Sequence, residues 1–140
     1  MRYLFLIVFY WCGFFGFCQN GLGVVANNPQ SNQMDMKEAK ALLKGKYNFW
    51  KNNAKVIIVL PSTKNPSSVK VAQEFYNTNP DGVKRYWLSL VFQGRSSSPV
   101  FLDTDKEIVE YISKNPGAIG VVSEEQWKST DEKYRINLNN

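Results

Sequence analysis

The stretch Tyr111–Val122 reads YISKNPGAIGVV, and it predicts a helix that stops abruptly and leads directly into a buried strand. Pro116 cannot continue a helix, and Gly117 can adopt the positive φ of a terminating turn. The apolar run AIGVV that follows is typical of a strand inside a sheet. Because Ala118 and Gly120 are small, we expect a neighbouring element to approach this strand closely.

Similar signals upstream predict the start of this helix and two more elements. Thr104 and Glu107 have the spacing of a capping box, and they begin the helix that ends at Pro116. Its predicted buried stripe consists of Ile108, Val109, Tyr111 and Ile112. Asp35 and Glu38 have the same spacing and begin a helix that Gly45 ends. The run Val56–Leu60, ended by Pro61, is continuously apolar and favours a strand covered on both faces.

Two further helices are predicted between these strands, with a short strand near each end of the chain. The first helix has Ser67 or Ser68 as its N-cap and buries Val69, Ala72, Phe75 and Tyr76. The second ends at Gly94 and carries Val83, Trp87, Leu90 and Val91 in helical register. The short strands are predicted around Leu22–Ala26 and Tyr134–Asn139. Strands alternating with helices indicate an α/β fold with a mostly parallel sheet flanked by helices.

The composition is that of one globular domain, with 44% hydrophobic and 21% charged residues in a chain of 140. The net charge is +5, but the basic residues are spread from Lys37 to Arg135 without a dense block. We therefore expect a modest preference for anionic partners and no nucleic-acid partner. The chain contains no His, which removes the usual general base and the commonest transition-metal ligand.

The first eighteen residues are apolar from Tyr3 to Cys18 after a single positive charge, Arg2. This run is shorter than the about 20 residues of a membrane span and matches the hydrophobic region of a secretory signal. Gly16 and Cys18 are small enough to precede a cut before Gln19. We expect residues 1–18 to be a signal peptide, residues 19–140 to form the domain, and the protein to be periplasmic or secreted. The alternative is an uncleaved N-terminal anchor, which would tie the domain to a membrane.

Both cysteines, Cys12 and Cys18, lie in this segment, so the processed chain would have no thiol nucleophile, disulfide or Cys-based metal site. Asp103 and Asp105 flank Thr104 at a predicted helix start, where they suit the cap and the helix dipole better than a metal. The sequence has no Ser-His arrangement and no Gly-rich phosphate loop. We expect a protein that is not an enzyme and that uses no cofactor and no metal.

Four stretches, taken in order, resemble one family. They are DMKEAKALLKGKYNFWKNNAKVIIV, SSVKVAQEFY, KRYWLSLVFQG and EIVEYISKNPGAIGVV. This succession is similar to the phosphate-type substrate-binding proteins of ABC importers, the PstS-like branch of the type 2 periplasmic binding fold. The match covers most of residues 35–122, and its most specific piece is Asn-Pro-Gly-Ala-Ile-Gly. Members of that family close two lobes on an ion, whereas this sequence matches essentially one lobe.

The family's anion motif has an Arg and then Ser-Gly-Thr at a helix N-terminus, where backbone N–H groups and the helix dipole favour an anion. On this chain the Ser-Gly-Thr falls on Pro66, Ser67 and Ser68, and the Arg falls near Ser62. The Arg is therefore missing, and Pro66 removes one N–H donor. The resemblance implies an anion site, while both serines can also be read as plain N-caps. The candidate anion-binding residues are Ser67, Ser68, Ser62, Thr63, Lys64 and, more distantly, Arg95.

The expected function is a secreted, non-catalytic binding module that binds or senses an oxyanion such as phosphate weakly. The alternative is a protein-interaction or structural module that has lost ligand capture. An exposed apolar patch around Phe49–Trp50 or Phe92–Phe101, and self-association, would mark this alternative. A homodimer would also supply the second lobe that one copy lacks.

Overall fold

A computed structural model describes residues 21–29, 31 and 34–139. The predicted signal segment, residues 1–18, lies outside the described residues. The strands are β1 (Leu22–Ala26), β2 (Met34–Asp35), β3 (Ile57–Pro61), β4 (Val100–Leu102), β5 (Ala118–Ser123), β6 (Arg135–Ile136) and β7 (Leu138–Asn139). The helices are α1 (Met36–Leu43), α2 (Ser68–Tyr76), α3 (Pro80–Phe92), α4 (Asp105–Lys114) and α5 (Glu124–Ser129), followed by a 3₁₀ turn, Glu132–Tyr134.

The main sheet has five strands in the order β4-β3-β5-β1-β6. Strand β3 pairs in parallel with β4 and β5, and β1 pairs antiparallel with β5 and β6. Four strands therefore point the same way, and β1 alone is reversed. This arrangement confirms the predicted α/β class and its mostly parallel sheet. Strands β2 and β7 form a separate parallel pair.

Alternation along the strands assigns side chains to two cores, because successive residues of a strand point to opposite faces. Val24, Ile58 and Ile119 face the larger core, which α1, α2 and α3 cover. The next residues along β1 and β3, Val25 and Val59, face a smaller core that α4 covers. The sheet therefore separates a three-helix layer from a layer formed by α4 and by Trp127 of α5.

The turn between α4 and β5 has the predicted geometry. Gly117 has a φ of +89°, and a Cβ there would lie 2.3 Å from the Lys55 carbonyl oxygen. The indole of Trp50 donates to the Gly117 carbonyl at 2.9 Å. A Cβ on Gly120 would lie 2.7 Å from the Val59 carbonyl oxygen, so the predicted close approach is confirmed. Only glycine fits Gly117 without strain, because the position combines positive φ with a backbone contact.

The predicted helix ends are confirmed at several positions. Asp35 accepts the N–H of Glu38 at 2.7 Å, and Thr104 accepts the N–H of Glu107 at 3.2 Å. Gly45 follows the C-cap of α1 with a φ of +76°. These ends depend on short-range hydrogen bonds and backbone angles, which is why the local sequence predicts them.

The predicted helix faces and the C-terminal region need correction. In α2, Val69 is 53% exposed and Val71 is buried, because the helix is rotated relative to the predicted stripe. In α3, Val91 is 38% exposed while Val83 and Trp87 are buried. Helix α5 was not predicted. The predicted strand over residues 134–139 is two short strands, β6 and β7, which belong to different sheets.

Candidate functional site

The segment between β3 and α2 lies at the edge where the parallel strands end. The Ser62 N–H donates to the Leu102 carbonyl at 2.9 Å and so extends the pairing of β3 with β4. The chain then turns, with the Asn65 N–H donating to the Ser62 carbonyl at 3.0 Å. The structure therefore brings together five of the predicted residues, Ser62, Thr63, Lys64, Ser67 and Ser68. In α/β sheets this edge is the usual position of ligands.

Asn65 organises the start of α2. Its side-chain oxygen accepts the Ser67 N–H at 2.9 Å, and its backbone carbonyl accepts the Ser68 N–H at 3.0 Å. Ser67 occupies the N-cap position but makes no side-chain capping bond. Asn65 was missing from the predicted site residues, although Asn before Pro-Ser-Ser is a recognisable turn signal.

The hydroxyl of Ser67 is directed to a carboxylate of the same chain. It donates to Oδ2 of Asp105 at 2.8 Å, and the Ser123 N–H donates to the same oxygen at 2.8 Å. The side-chain amide of Asn65 donates to Oδ1 of Asp105 at 3.0 Å. Asp105 therefore accepts three hydrogen bonds beside the start of α2. The Asp105 carboxylate thus accepts the hydrogen bond of the Ser67 hydroxyl, which the resemblance assigns to an oxyanion.

A second hydroxyl of this group also meets a carboxylate. The Ser62 hydroxyl donates to Asp103 and accepts the Lys64 N–H at 3.3 Å. Thr63 and Lys64 are exposed at the same edge. Ser68 is buried, at 5% exposure, and lines a narrow cleft shared with Thr63. The immediate surroundings of Ser62 and Ser67 are therefore acidic.

Arg95 lies apart from this group. Residues 94–98 and 56–58 line a cavity of about 400 Å³ at the start of β3, whereas Ser62 follows the end of that strand. The side-chain amide of Asn48 donates to the Arg95 carbonyl at 3.2 Å. Burial raises the pKa of Tyr86, and the Arg95 charge opposes that rise. The structure does not bring Arg95 to Ser67.

Two negative findings concern only the part of the chain that the structure describes. No group of three or more His, Cys, Asp or Glu side chains there could hold a metal ion. In those same residues, each helix is too short or too polar to cross a membrane.

Apolar side chains are exposed near both predicted patches. Phe92 is 86% exposed and Phe49 is 62% exposed. Trp50 is only 6% exposed, because its indole packs in the larger core and bonds to Gly117, so its predicted exposure is wrong. The exposed large hydrophobic side chains of α3 are Tyr86, Leu88, Val91 and Phe92.

Three solved structures share the architecture of this chain. They are an ABC-type phosphate transport receptor from Vibrio cholerae, a possible phosphate binding protein from Planctomyces limnophilus, and PstS from Borrelia burgdorferi. Their identities to this chain are 17%, 15% and 15%, with TM-scores of 0.52, 0.58 and 0.55 respectively. The matched regions cover 85%, 86% and 86% of this chain and 46%, 42% and 48% of those chains.

These likenesses confirm the predicted resemblance at the level of the fold. The chain spans less than half the length of each matched protein, as a single lobe would. No protein-family model matches the sequence, and no curated protein matches it. At identities of 17% and below, the shared fold by itself assigns no ligand to this chain.

Proposed function

We propose that this chain is a secreted, non-catalytic binding module that acts through its surface on a macromolecular partner, without capturing a free oxyanion. The observation that carries this proposal is the carboxylate of Asp105, which accepts hydrogen bonds from Ser67, Asn65 and Ser123. Because these donors already bond to a carboxylate of the same chain, the place that an oxyanion would occupy at the start of α2 is held by Asp105.

An incoming oxyanion would face two costs at this edge. It would have to break charge-assisted hydrogen bonds to Asp105, which are stronger than neutral ones. It would also meet the negative charges of Asp103 and Asp105 without an Arg to offset them. Lys64 is exposed nearby, where solvent screens its charge. These costs favour a module that has lost ligand capture.

Secretion is part of the same proposal. The apolar run from Tyr3 to Cys18 supports a signal peptide over residues 1–18, with residues 19–140 as the periplasmic or secreted domain. The fold likeness to transport receptors agrees with that location and with a non-enzymatic role. A protein, a second copy of the chain or another extended surface could serve as partner.

Weak oxyanion binding is the second candidate function. It is favoured by the three matched structures, two of which are described as a phosphate receptor and a possible phosphate binding protein. The oxyanion would use Ser67 and Ser68, with Ser62, Thr63 and Lys64 beside them. Binding would require the Asp105 side chain to leave the Ser67 hydroxyl.

Calorimetric titration with phosphate and then sulfate separates the two candidates. The chain from Gln19 onward suits this test, because both cores draw their residues from positions 22–138. We expect no saturable binding at millimolar anion by the unaltered sequence. Asp105→Ala should expose the Ser67 and Ser123 donors and allow detectable anion binding.

The matched control is Asp81→Ala, which removes an exposed charge from the first turn of α3 and leaves Ser67 untouched. Circular dichroism establishes that each variant is folded. Saturable phosphate binding by the unaltered chain, lost in Ser67→Ala, would overturn the proposed function and establish the second candidate.

A further inference from the structure

We infer that the outer face of α3 is a docking surface for a membrane rich in anionic phospholipid. This inference rests on the proposed function and names the partner. The face is formed by Leu88, Val91 and Phe92, together with Lys84 and Arg85; it is called the α3 outer face below.

The apolar part of the α3 outer face is one stripe. Leu88, Val91 and Phe92 have the spacing i, i+3, i+4, which places them on the same side of a helix. Their exposures are 55%, 38% and 86%. The inward side of α3 is already occupied, since Val83 and Trp87 are buried in the larger core. The side chains of the stripe therefore do not contribute to the larger core of the described domain.

Basic side chains lie at the N-terminal end of this stripe. Successive residues of an α-helix are rotated by about 100°, so Lys84 and Arg85, one turn before Leu88, lie on the same side of the helix as the stripe. Both are exposed. The acidic residue of α3, Asp81, lies in the first turn, at the far end from Phe92. From residue 82 to residue 102 the sequence contains no Asp or Glu.

The two helix layers also differ in net charge. Residues 36–102, which include α1, α2 and α3, contain eleven Lys and Arg and three Asp and Glu. Residues 103–139, which include α4 and α5, contain eight Asp and Glu and five Lys and Arg. Because the sheet separates the two helix layers, the layer that includes α3 is positive and the opposite layer is negative. An anionic surface would attract the α3 side.

This combination favours a lipid surface over a second copy of the chain. An exposed aromatic side chain on the same helix face as cations is typical of helices that lie in the headgroup region of a bilayer. Cations near an anionic leaflet add attraction that salt screens. Two copies joined through the α3 outer face would instead bring two positive faces together. If the vesicle test below is negative, a protein with an acidic groove is the alternative occupant of this face.

The test is sedimentation of the chain from Gln19 onward with phosphatidylcholine vesicles and with vesicles containing equal parts of phosphatidylcholine and phosphatidylglycerol. We expect binding only to the second kind, weakening as salt rises from about 0.05 M to about 0.5 M. Phe92→Ser should reduce the partition coefficient about tenfold, and Lys84→Gln with Arg85→Gln should reduce it by a similar factor. Phe92 is 86% exposed, so its replacement leaves the core intact.

The matched control is Lys114→Gln, which removes an exposed cation from α4 on the opposite layer and should leave binding unchanged. Failure of the folded chain to bind phosphatidylglycerol vesicles would overturn the inference, as would an equal loss in Lys114→Gln. If phosphate titration is also negative in that case, the inference about the α3 outer face fails while the proposed function stands.

Discussion

Tyr76 shows how a single side chain joins separate elements of the larger core. Its hydroxyl donates to the Leu43 carbonyl at the end of α1 and accepts the indole N–H of Trp87 in α3 at 3.3 Å. Burial raises the pKa of this hydroxyl well above its ordinary value of 10.0, and the Trp87 hydrogen bond offsets only part of that rise. The folded protein therefore holds Tyr76 in its neutral form.

Tyr76→Phe should lower the free energy of unfolding by about 1–2 kcal/mol at pH 7, because it leaves the Leu43 carbonyl without this donor. The pH dependence follows from the raised pKa. Above pH 10 the unfolded state releases the Tyr76 proton first, so stability falls as pH rises through that range. Tyr76→Phe should show a shallower fall. Urea unfolding between pH 7 and pH 11 measures both effects.

Tyr47→Phe is the matched control for this experiment, since Tyr47 is 50% exposed and its ring lies at the surface. It should leave the stability at pH 7 unchanged. A Tyr76→Phe protein with the same alkaline slope as the unaltered chain would show that Tyr76 ionises equally in both states.

At the scale of elements, the start of α2 depends on a residue from outside the helix. Asn65 is 2% exposed and holds the N–H groups of Ser67 and Ser68, while its amide donates to Asp105 at the start of α4. One side chain thereby connects the β3–α2 turn to the β4–α4 turn. This connection places the Ser67 hydroxyl beside the Asp105 carboxylate.

Asn65→Ala should cost about 1–3 kcal/mol of stability, because it leaves the Ser67 N–H and part of the Asp105 carboxylate without partners. Amide hydrogen exchange should accelerate at the first turn of α2 more than elsewhere. Asn137→Ala provides the control, because Asn137 is exposed between β6 and β7. Equal exchange rates at α2 in both variants would show that Asn65 does not hold the helix start.

At the scale of the whole molecule, one sheet joins two cores. Phe75 of α2 is buried in the larger core, and Ile112 of α4 is buried in the smaller one. Both cores share the strands β1, β3 and β5, whose residues alternate between them. The absence of a Cβ at Gly120 lets β5 lie close to β3 and to Ile112 at once. We therefore expect the two cores to unfold as one cooperative unit.

Ile112→Ala should destabilise the domain by about 2–5 kcal/mol, and Phe75→Ala by about 3–5 kcal/mol, because each leaves a cavity in a packed core. Thermal unfolding followed by circular dichroism and by Trp fluorescence should give coincident single transitions for both variants. Val69→Ala, at a position that is 53% exposed, should change stability little. Two separate transitions in Ile112→Ala would show that the cores unfold independently.

The sequence by itself determined the α/β class, the caps at Asp35 and Thr104, and the turn at Gly117. Each of these depends on residues within a few positions of one another, so local hydrogen bonds and backbone angles suffice to predict them. The resemblance to phosphate-type receptors also came from the order of local motifs, and the shared fold agrees with it.

Only the tertiary structure decided the reversal of β1, the partner of Ser67 and the position of Arg95. An apolar run such as Leu22–Ala26 has the same pattern in either direction, so its pairing depends on strands about a hundred residues away. Ser67 and Asp105 are 38 residues apart and meet only because β3 and β4 are neighbours in the sheet. Whether a hydroxyl serves a free anion or the chain's own carboxylate depends on such long-range contacts, which local sequence patterns do not encode.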